Sequence, residues 1–426
     1  YIGTLKIENS TLLRSIANLY IQSLSGLSNE IWMLSLVTLI NRIGAMIFPF
    51  LSVYLGTQVG FSIPQVGWIM SAYGVGSVLG SLVGGKLTDY FGHIKVMVCS
   101  LILSAFAFIG LMYLETFYQW LGFIMLATLI IDSFRPANFV AMDYYSTEEN
   151  KTRSISLVRL MINLGIGIGP LIGGYIAVKY GYTWLFIIDA VTCILAAIFL
   201  YAKLGHIDSG PALKEERIEI KESKFGKVKK KSPYTDFAFL IFMVLLLCST
   251  VSFAQIIFTV PYFLKTQLGF DEDIIGQLLG INGILIFLFE MPMIYYLENK
   301  VKPKVLMAIG AFMMGASYLV LVGIVGFGVG ALYMILLLSI LLITFGEIIN
   351  FPYTNVKALA MADPNNKGEY IGMYTMIWPA AMIIASPLGF NIADYFGWDT
   401  LWIVCVSLST IAAFGFYYLD DLFKAR

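Results

Sequence analysis

At 426 residues, with 59% hydrophobic, 15% aromatic and only 13% charged side chains, the chain lies far outside the composition of a soluble domain. Lys plus Arg balance Asp plus Glu at 27 each, so the chain as a whole shows no bias toward nucleic acid. A helix crossing a hydrocarbon core of about 30 Å needs about 20 mostly apolar residues, and runs of that length recur along the sequence.

Taken in chain order, residues 1–30 read as a cytoplasmic segment. Within it, Leu12, Leu13, Ile16, Tyr20, Leu24 and Leu27 share one helical stripe, which predicts a helix lying along the membrane interface. It lacks a long apolar core with a small-residue cleavage site, so a signal peptide is not expected. Spans are predicted at 31–55, 64–88, 94–114, 120–144, 154–178 and 182–202, a first bundle over 31–202. A basic linker over 203–236 follows. Further spans at 237–266, 272–297, 303–325, 330–359, 368–394 and 398–420 form a second bundle over 237–420, and 421–426 are a cytoplasmic tail. The expected fold is an all-α membrane protein of twelve transmembrane helices in two six-helix bundles.

Positive charge sets the expected orientation. Lys6, Arg14, Lys86, Lys95, Lys151, Arg153, Lys300, Lys302, Lys304, Lys357, Lys367, Lys424 and Arg426 fall on one side. So do Lys203, Lys214, Arg217, Lys221, Lys224, Lys227, Lys229, Lys230 and Lys231 of the linker, against Lys179 and Lys265 on the other side. The asymmetry places both termini and the linker in the cytoplasm, in a plasma membrane or a Gram-negative inner membrane. Beside a bilayer, the lysine run of the linker fits contact with anionic lipid better than with nucleic acid. Cys99, Cys193, Cys248 and Cys405 fall within spans without paired spacing and read as packing residues, so neither a metal nor a cofactor is expected.

The halves repeat one another. Pro136, Val140, Lys151 and Gly181 recur 216 positions later as Pro352, Val356, Lys367 and Gly397. Two six-helix halves so related form bundles that rock about a site near the bilayer midplane.

The loop after the second span reads Gly85-Lys86-Leu87-Thr88-Asp89-Tyr90-Phe91-Gly92-His93-Ile94-Lys95. Glycines let helix ends approach closely, and a carboxylate there can cap the N-terminus of a neighbouring helix. The stretch resembles the signature of the major facilitator superfamily, departing from it where His93 and Ile94 precede Lys95. The resemblance implies that Asp89, with Gly85, Gly92 and Lys95, latches the cytoplasmic side shut. In the fifth span, Gly165, Gly169, Pro170, Gly173 and Gly174 resemble the Gly-xxx-Gly-Pro-xx-Gly-Gly motif of antiporter branches of that superfamily. Small residues at that spacing allow tight helix packing, and the proline bends the span. The resemblance covers about residues 31–420 and implies alternating access to one site.

Ionisable groups at membrane depth are costly and call for a partner or a task. Arg42 sits beside Asn41 near the middle of the first span, and Asp132 and Arg135 share a face of the fourth. Glu290 lies in the eighth span, Glu347 deep in the tenth with Asn350 after it, Arg159 in the fifth and Asp189 in the sixth. A carboxylate in a dry cavity binds and releases a proton near neutral pH, so Glu347, Glu290 and Asp132 are the candidate proton-coupling groups. Arg42, Asn41, Arg135, Asn138 and Asn350 are the candidate solute ligands.

The expected function is a proton-coupled secondary active transporter, a monomer in the lipid bilayer, exporting small, partly hydrophobic molecules. Two alternatives remain. One is a proton-coupled importer of peptides or similar solutes. Arg135-Pro136-Ala137-Asn138 and Gly346-Glu347 resemble runs of the oligopeptide transporters, while Asn41-Arg42-Ile43-Gly44 departs from their first-span pattern. The other is an uncoupled lipid transporter of the same fold. An ATP-driven pump is disfavoured by the absence of a Gly-xxxx-Gly-Lys-Ser/Thr loop, and an enzyme by histidines confined to loop positions His93 and His206.

Overall fold

The computed structural model describes residues 26–147, 150–205, 232–297, 300–362 and 367–424. The interfacial helix expected before residue 26 and the basic linker over 206–231 lie outside the described residues. The first bundle comprises α1 (Asn29–Thr57), α2 (Ile63–Phe91), α3 (His93–Leu111), α4 (Phe117–Tyr145), α5 (Lys151–Tyr180) and α6 (Tyr182–Leu204). The second comprises α7 (Phe237–Thr266), α8 (Glu272–Leu297), α9 (Pro303–Leu319), α10 (Val329–Met361), α11 (Glu369–Phe396) and α12 (Trp398–Lys424). No strand occurs among the described residues. Eleven of these helices are long and apolar enough to cross a bilayer, and α9 is a shorter apolar helix. The span predicted at 303–325 therefore ends early, at Leu319. The chain turns there through Gly323 and Gly326, whose φ angles are 71° and 103°.

Three helices predicted as continuous are broken, each a few residues ahead of a proline. α1 stops at Ile43 and resumes around Phe48-Pro49-Phe50, α4 kinks at Ser133 before Pro136, and α11 kinks at Met376 before Pro379. A proline ring clashes with the carbonyl four residues back and supplies no N–H, so the break falls in that preceding turn. In hydrocarbon the freed backbone groups need partners. At the α1 break Asp189 of α6 provides them: the Met46 and Ile47 N–H groups donate to its two carboxylate oxygens at 2.9 and 3.0 Å. Asp189 is fully buried, and its task is to cap a broken helix. At the α4 kink, Ser133 Oγ donates to the carbonyls of Leu129 and Gly80 at 2.7 and 3.1 Å.

The internal repeat extends to backbone conformation. Gly181 and Gly397 end α5 and α11 with φ of 88° at both, a region that L side chains rarely adopt. Their side-chain-free left-handed turns admit α6 and α12 immediately afterwards.

The halves meet along α5 with α8 and along α2 with α11. Gly167 faces Gly283 and Ile284, and a methyl on Gly167 would lie 2.9 Å from the Ile284 nitrogen. Gly174 lies against the backbone of Glu272 and Asp273, and Gly276 against Pro170. On the pseudosymmetric side, Ser71 Oγ donates to the Ile383 carbonyl at 2.9 Å and Ser386 Oγ to the Gly67 carbonyl at 3.0 Å. The last turns of α1 complete this closure against α7, with Gly56 beside the Tyr262 ring. Tyr182 of the first bundle donates to Glu272 of the second at 2.7 Å, and Lys265 reaches the other Glu272 oxygen at 3.0 Å. These contacts close the face opposite the chain ends. On α2 the contacts with α11 at Gly67, Ser71 and Gly74 lie in its first half, and Gly85 near its other end has open space around it, so this seam opens toward the face that carries the chain ends.

Two outcomes follow. Asp189→Ala leaves two buried backbone donors unsatisfied at about 1–3 kcal/mol each, so the thermal unfolding temperature of the purified protein is expected to fall by several degrees. Asp189→Asn, which keeps one acceptor oxygen, is expected to lose less. Gly167→Val forces α5 from α8, and labelling of a cysteine placed at Gln58, at the closed face, is expected to rise in it.

Candidate functional site

Between the bundles, the mid-depth charges fall into two groups. The first belongs to the first bundle. Asp132 precedes the α4 kink and Arg135 follows it, and Arg135 Nη2 donates to Asp132 Oδ1 at 3.1 Å. The Asp132 side chain is 7% exposed, whereas that of Arg135 is 37% exposed. Arg42 ends the first segment of α1, where the negative end of the helix dipole favours a cation. Its Cβ lies against Gly165, and Asp132, Arg135 and Tyr73 are its electrostatic neighbours. The Arg42 Nε is buried and makes no hydrogen bond. Two guanidiniums therefore face one carboxylate. Asn41 is partly exposed beside them, and buried Asn138 donates to Thr38 Oγ1 at 3.4 Å.

The second group spans the bundle interface. Arg159 of α5 forms an ion pair with Glu290 of α8, whose other oxygen accepts from Asn163 Nδ2 at 3.1 Å. Glu347 of α10 has Glu290 and Arg159 as charged neighbours but no ion pair. Its hydrogen bond comes from Asn282 Nδ2 at 3.5 Å, and that amide makes its shorter bond, 2.9 Å, to Thr344. One turn along α10 on the same face is Phe351, its ring 5.2 Å from that of Phe253. Phe253 in turn lies 5.8 Å from Trp378. Tyr374 reaches α10 beside them, its hydroxyl donating to the Phe351 carbonyl at 3.4 Å and lying 3.1 Å from Thr354 Oγ1. A poorly compensated carboxylate beside aromatic faces can take a proton, or a cationic group of a solute.

Other predicted residues stand elsewhere. Asn350 faces α9, donating to the Met307 carbonyl at 2.8 Å. Gly310 admits the close approach that puts it there, since a methyl on that glycine would sit 2.8 Å from the Asn350 Cβ. Asp89 is exposed, and no hydrogen bond or ion pair joins it to another described residue. Gly85 has open space around it, Gly92 makes the turn with φ of 83°, and Lys95 is exposed, all on the face where the halves diverge. The fifth-span glycines present two faces: Gly165, Gly169 and Gly173 pack on α1 at its break, and Pro170 and Gly174 on α8.

Sequence reasoning left Arg159, Asn163, Asn282 and Tyr73 out of the site. A signal existed for Arg159: it is the one mid-depth arginine with no acidic residue in reach on its own helix other than Arg42. The predicted spans gave a second signal, placing Arg159 toward the cytoplasmic end of the fifth and Glu290 toward that of the eighth.

Comparison with known proteins agrees with this architecture. The Major Facilitator Superfamily profile matches residues 34–386. An uncharacterized MFS-type transporter of Bacillus subtilis, YqjV, is 25% identical over 80% of this chain and 81% of its own. A Na(+), Li(+), K(+)/H(+) antiporter of Planococcus maritimus is 20% identical over 89% of this chain and 93% of its own. Among solved structures, a POT family transporter in complex with 5-aminolevulinic acid superposes with a TM-score of 0.76 at 14% identity, over 95% of this chain and 99% of that one, which shows the shared fold. With twelve helices in two facing bundles and a family match across most of its length, the chain belongs to the Major Facilitator Superfamily and is a multi-pass membrane transporter of small molecules, not an enzyme.

Proposed function

We propose that this transporter exchanges protons for small, partly hydrophobic solutes by alternating access, exporting the solute, with Glu347 as the proton-carrying group. The observation that carries the reading is charge compensation. Of the three candidate proton-coupling carboxylates, Asp132 is paired with Arg135 and Glu290 with Arg159, whereas Glu347 has one long hydrogen bond from Asn282. An ionised group so placed costs a few kcal/mol, and a proton or a cationic solute relieves that cost. The aromatic cluster of Phe253, Phe351, Trp378 and Tyr374 offers apolar contact beside it. Arg42, Asn41, Arg135 and Asn138 supply the polar wall opposite. Antiport is supported by the glycine pattern of α5 and by the activity named for the Planococcus maritimus relative.

In this reading the diverging face is cytoplasmic, as the lysine asymmetry requires, and the protein works as a monomer in the plasma membrane. Gly85, Asp89, Gly92 and Lys95 then form the latch that engages when that face closes. A second reading, import of peptides or similar solutes with protons, draws on one observation: the Arg42 Nε lacks a hydrogen-bond partner and suits an anionic group.

Transport in proteoliposomes under an imposed pH gradient separates these readings. Movement of tetraphenylphosphonium against the proton gradient is expected to fall at least about tenfold in Glu347→Gln, the loss of one titrating group. Exchange of the same cation without a gradient is expected to persist more than gradient-driven movement. Gradient-driven export that survives the substitution would remove Glu347 from the role. Uptake of dialanine along the proton gradient would instead establish the second reading, and lipid movement indifferent to the gradient an uncoupled transporter.

A further inference from the structure

Arg159 faces two carboxylates of the opposite bundle, Glu290 and Glu347. It stands on α5 and pairs with Glu290 on α8, so this ion pair links the two bodies that must move past one another. Its side chain is 48% exposed, whereas that of Glu290 is 8% exposed: the guanidinium has room to move and the carboxylate does not. Asn163, one turn further along α5, holds the second Glu290 oxygen at 3.1 Å, so Glu290 keeps a hydrogen-bond donor if Arg159 departs. Glu347 neighbours both Glu290 and Arg159. It also touches Asn282, two turns from Glu290 along α8 toward the closed face. Glu347 thus lies near the level of the Gly167–Gly283 contact, nearer the closed face than Glu290.

Arg159, Glu290 and Glu347 form one electrostatic group, while Lys357 stands further along α10 and Glu369 at the start of α11. At this depth α8 faces Arg159 from α5 and Glu347 from α10, and α11 contributes the Tyr374 hydroxyl. The charged residues of α7 and α9, Lys265 and Lys304, lie at the ends of their helices. An arginine carries five donors on a long stem and stays protonated throughout, so it can serve two carboxylates in turn.

We propose that Arg159 is the coupling cation of the transporter: it holds Glu290 while Glu347 carries a proton, and shifts to Glu347 when that proton leaves. The shift draws α5 along α8 toward the closed face and acts on the glycine contact that seals it. Arg159 is a positioning residue, acting through Glu347 and not on the solute. The inference rests on the reading of Glu347 as the proton-carrying group.

The test is a distance measurement on the full chain in lipid nanodiscs. Cys99, Cys193, Cys248 and Cys405 are replaced by serine, and spin labels are placed at Gln58→Cys and Gln267→Cys, exposed ends of α1 and α7 at the closed face. In the otherwise unaltered protein, the ratio of closed to open distances is expected to change about tenfold between acidic and alkaline pH, as one titrating group allows. Glu347→Gln is expected to hold the acidic ratio at every pH. Glu290→Gln is expected to hold the alkaline ratio, because Arg159 then has one partner left. Arg159→Gln is expected to lose the response, and Arg159→Lys to keep part of it. A full pH response in Arg159→Gln alongside none in Glu347→Gln would overturn the coupling role and leave the proton carrier standing. A full response in Glu347→Gln would overturn the proton carrier itself, and this inference with it. Unfolding temperatures of the variants, expected to match within a few degrees, distinguish lost coupling from lost structure. If Arg159→Gln does not fold, a pH-independent alkaline ratio in Glu290→Gln still supports the proposal, and an ordinary response there overturns it.

Discussion

The constraint on which this structure depends is that hydrocarbon offers no hydrogen bonds, so each interruption of a helix must be answered by the protein itself. Pro49 breaks α1, and the answer is Asp189, which accepts from Met46 and Ile47. That capping has consequences beyond local stability. It fixes where the first segment of α1 ends, and Arg42 sits in the last turn of that segment. A guanidinium at a helix C-terminus, with a carboxylate of the same bundle among its neighbours, is a tolerable way to carry a charge at mid-depth. The broken helix and the buried cation are therefore one arrangement.

Close backbone approach is the second organising element. The α5 glycines serve two neighbours at once, α1 through Gly165, Gly169 and Gly173, and α8 through Gly167 and Gly174. The first face ties α5 to its own bundle, and the second forms the seam between bundles. Association of helices in lipid gains little from apolar burial and depends on such packing and on hydrogen bonds. The seam is closed by glycine contacts and a few bonds of the Tyr182–Glu272 kind.

Much of the architecture was legible in sequence because two strong signals coincide: apolar runs of bilayer length, and a repeat at constant offset. Gly181 and Gly397 show the repeat reaching down to dihedral angles. Helix interruptions were less legible. Pro49, Pro136 and Pro379 accompany breaks, while Pro170, Pro261, Pro292, Pro352 and Pro387 lie within continuous helices. Whether a proline breaks a span depends on neighbours that sequence does not place. The same limit governed the charges. Asp132 and Arg135 were readable as a pair because three residues separate them on one helix. Glu290 and Arg159 come from helices 131 positions apart in sequence, and only the α5–α8 seam brings them together. Asp189 drew notice as a buried charge, but its task was invisible until the α1 break existed to be capped.

Apart from Asp189, which is committed to the α1 break, three guanidiniums and three carboxylates stand between the bundles, and two internal pairings leave Arg42 on the first bundle and Glu347 on the second. With Glu347 ionised the set is neutral overall, with its residual charges held apart. With Glu347 protonated the set is positive, and that charge centres on Arg42. In the proposed reading, a proton and a cationic solute are thus alternatives at Glu347, which forces them to exchange. A proton and an anionic group on Arg42 are companions, which favours their moving together. In that reading one charge arrangement supports antiport of cations and symport of anions, and the charge of the solute, more than any further feature of the fold, decides between them.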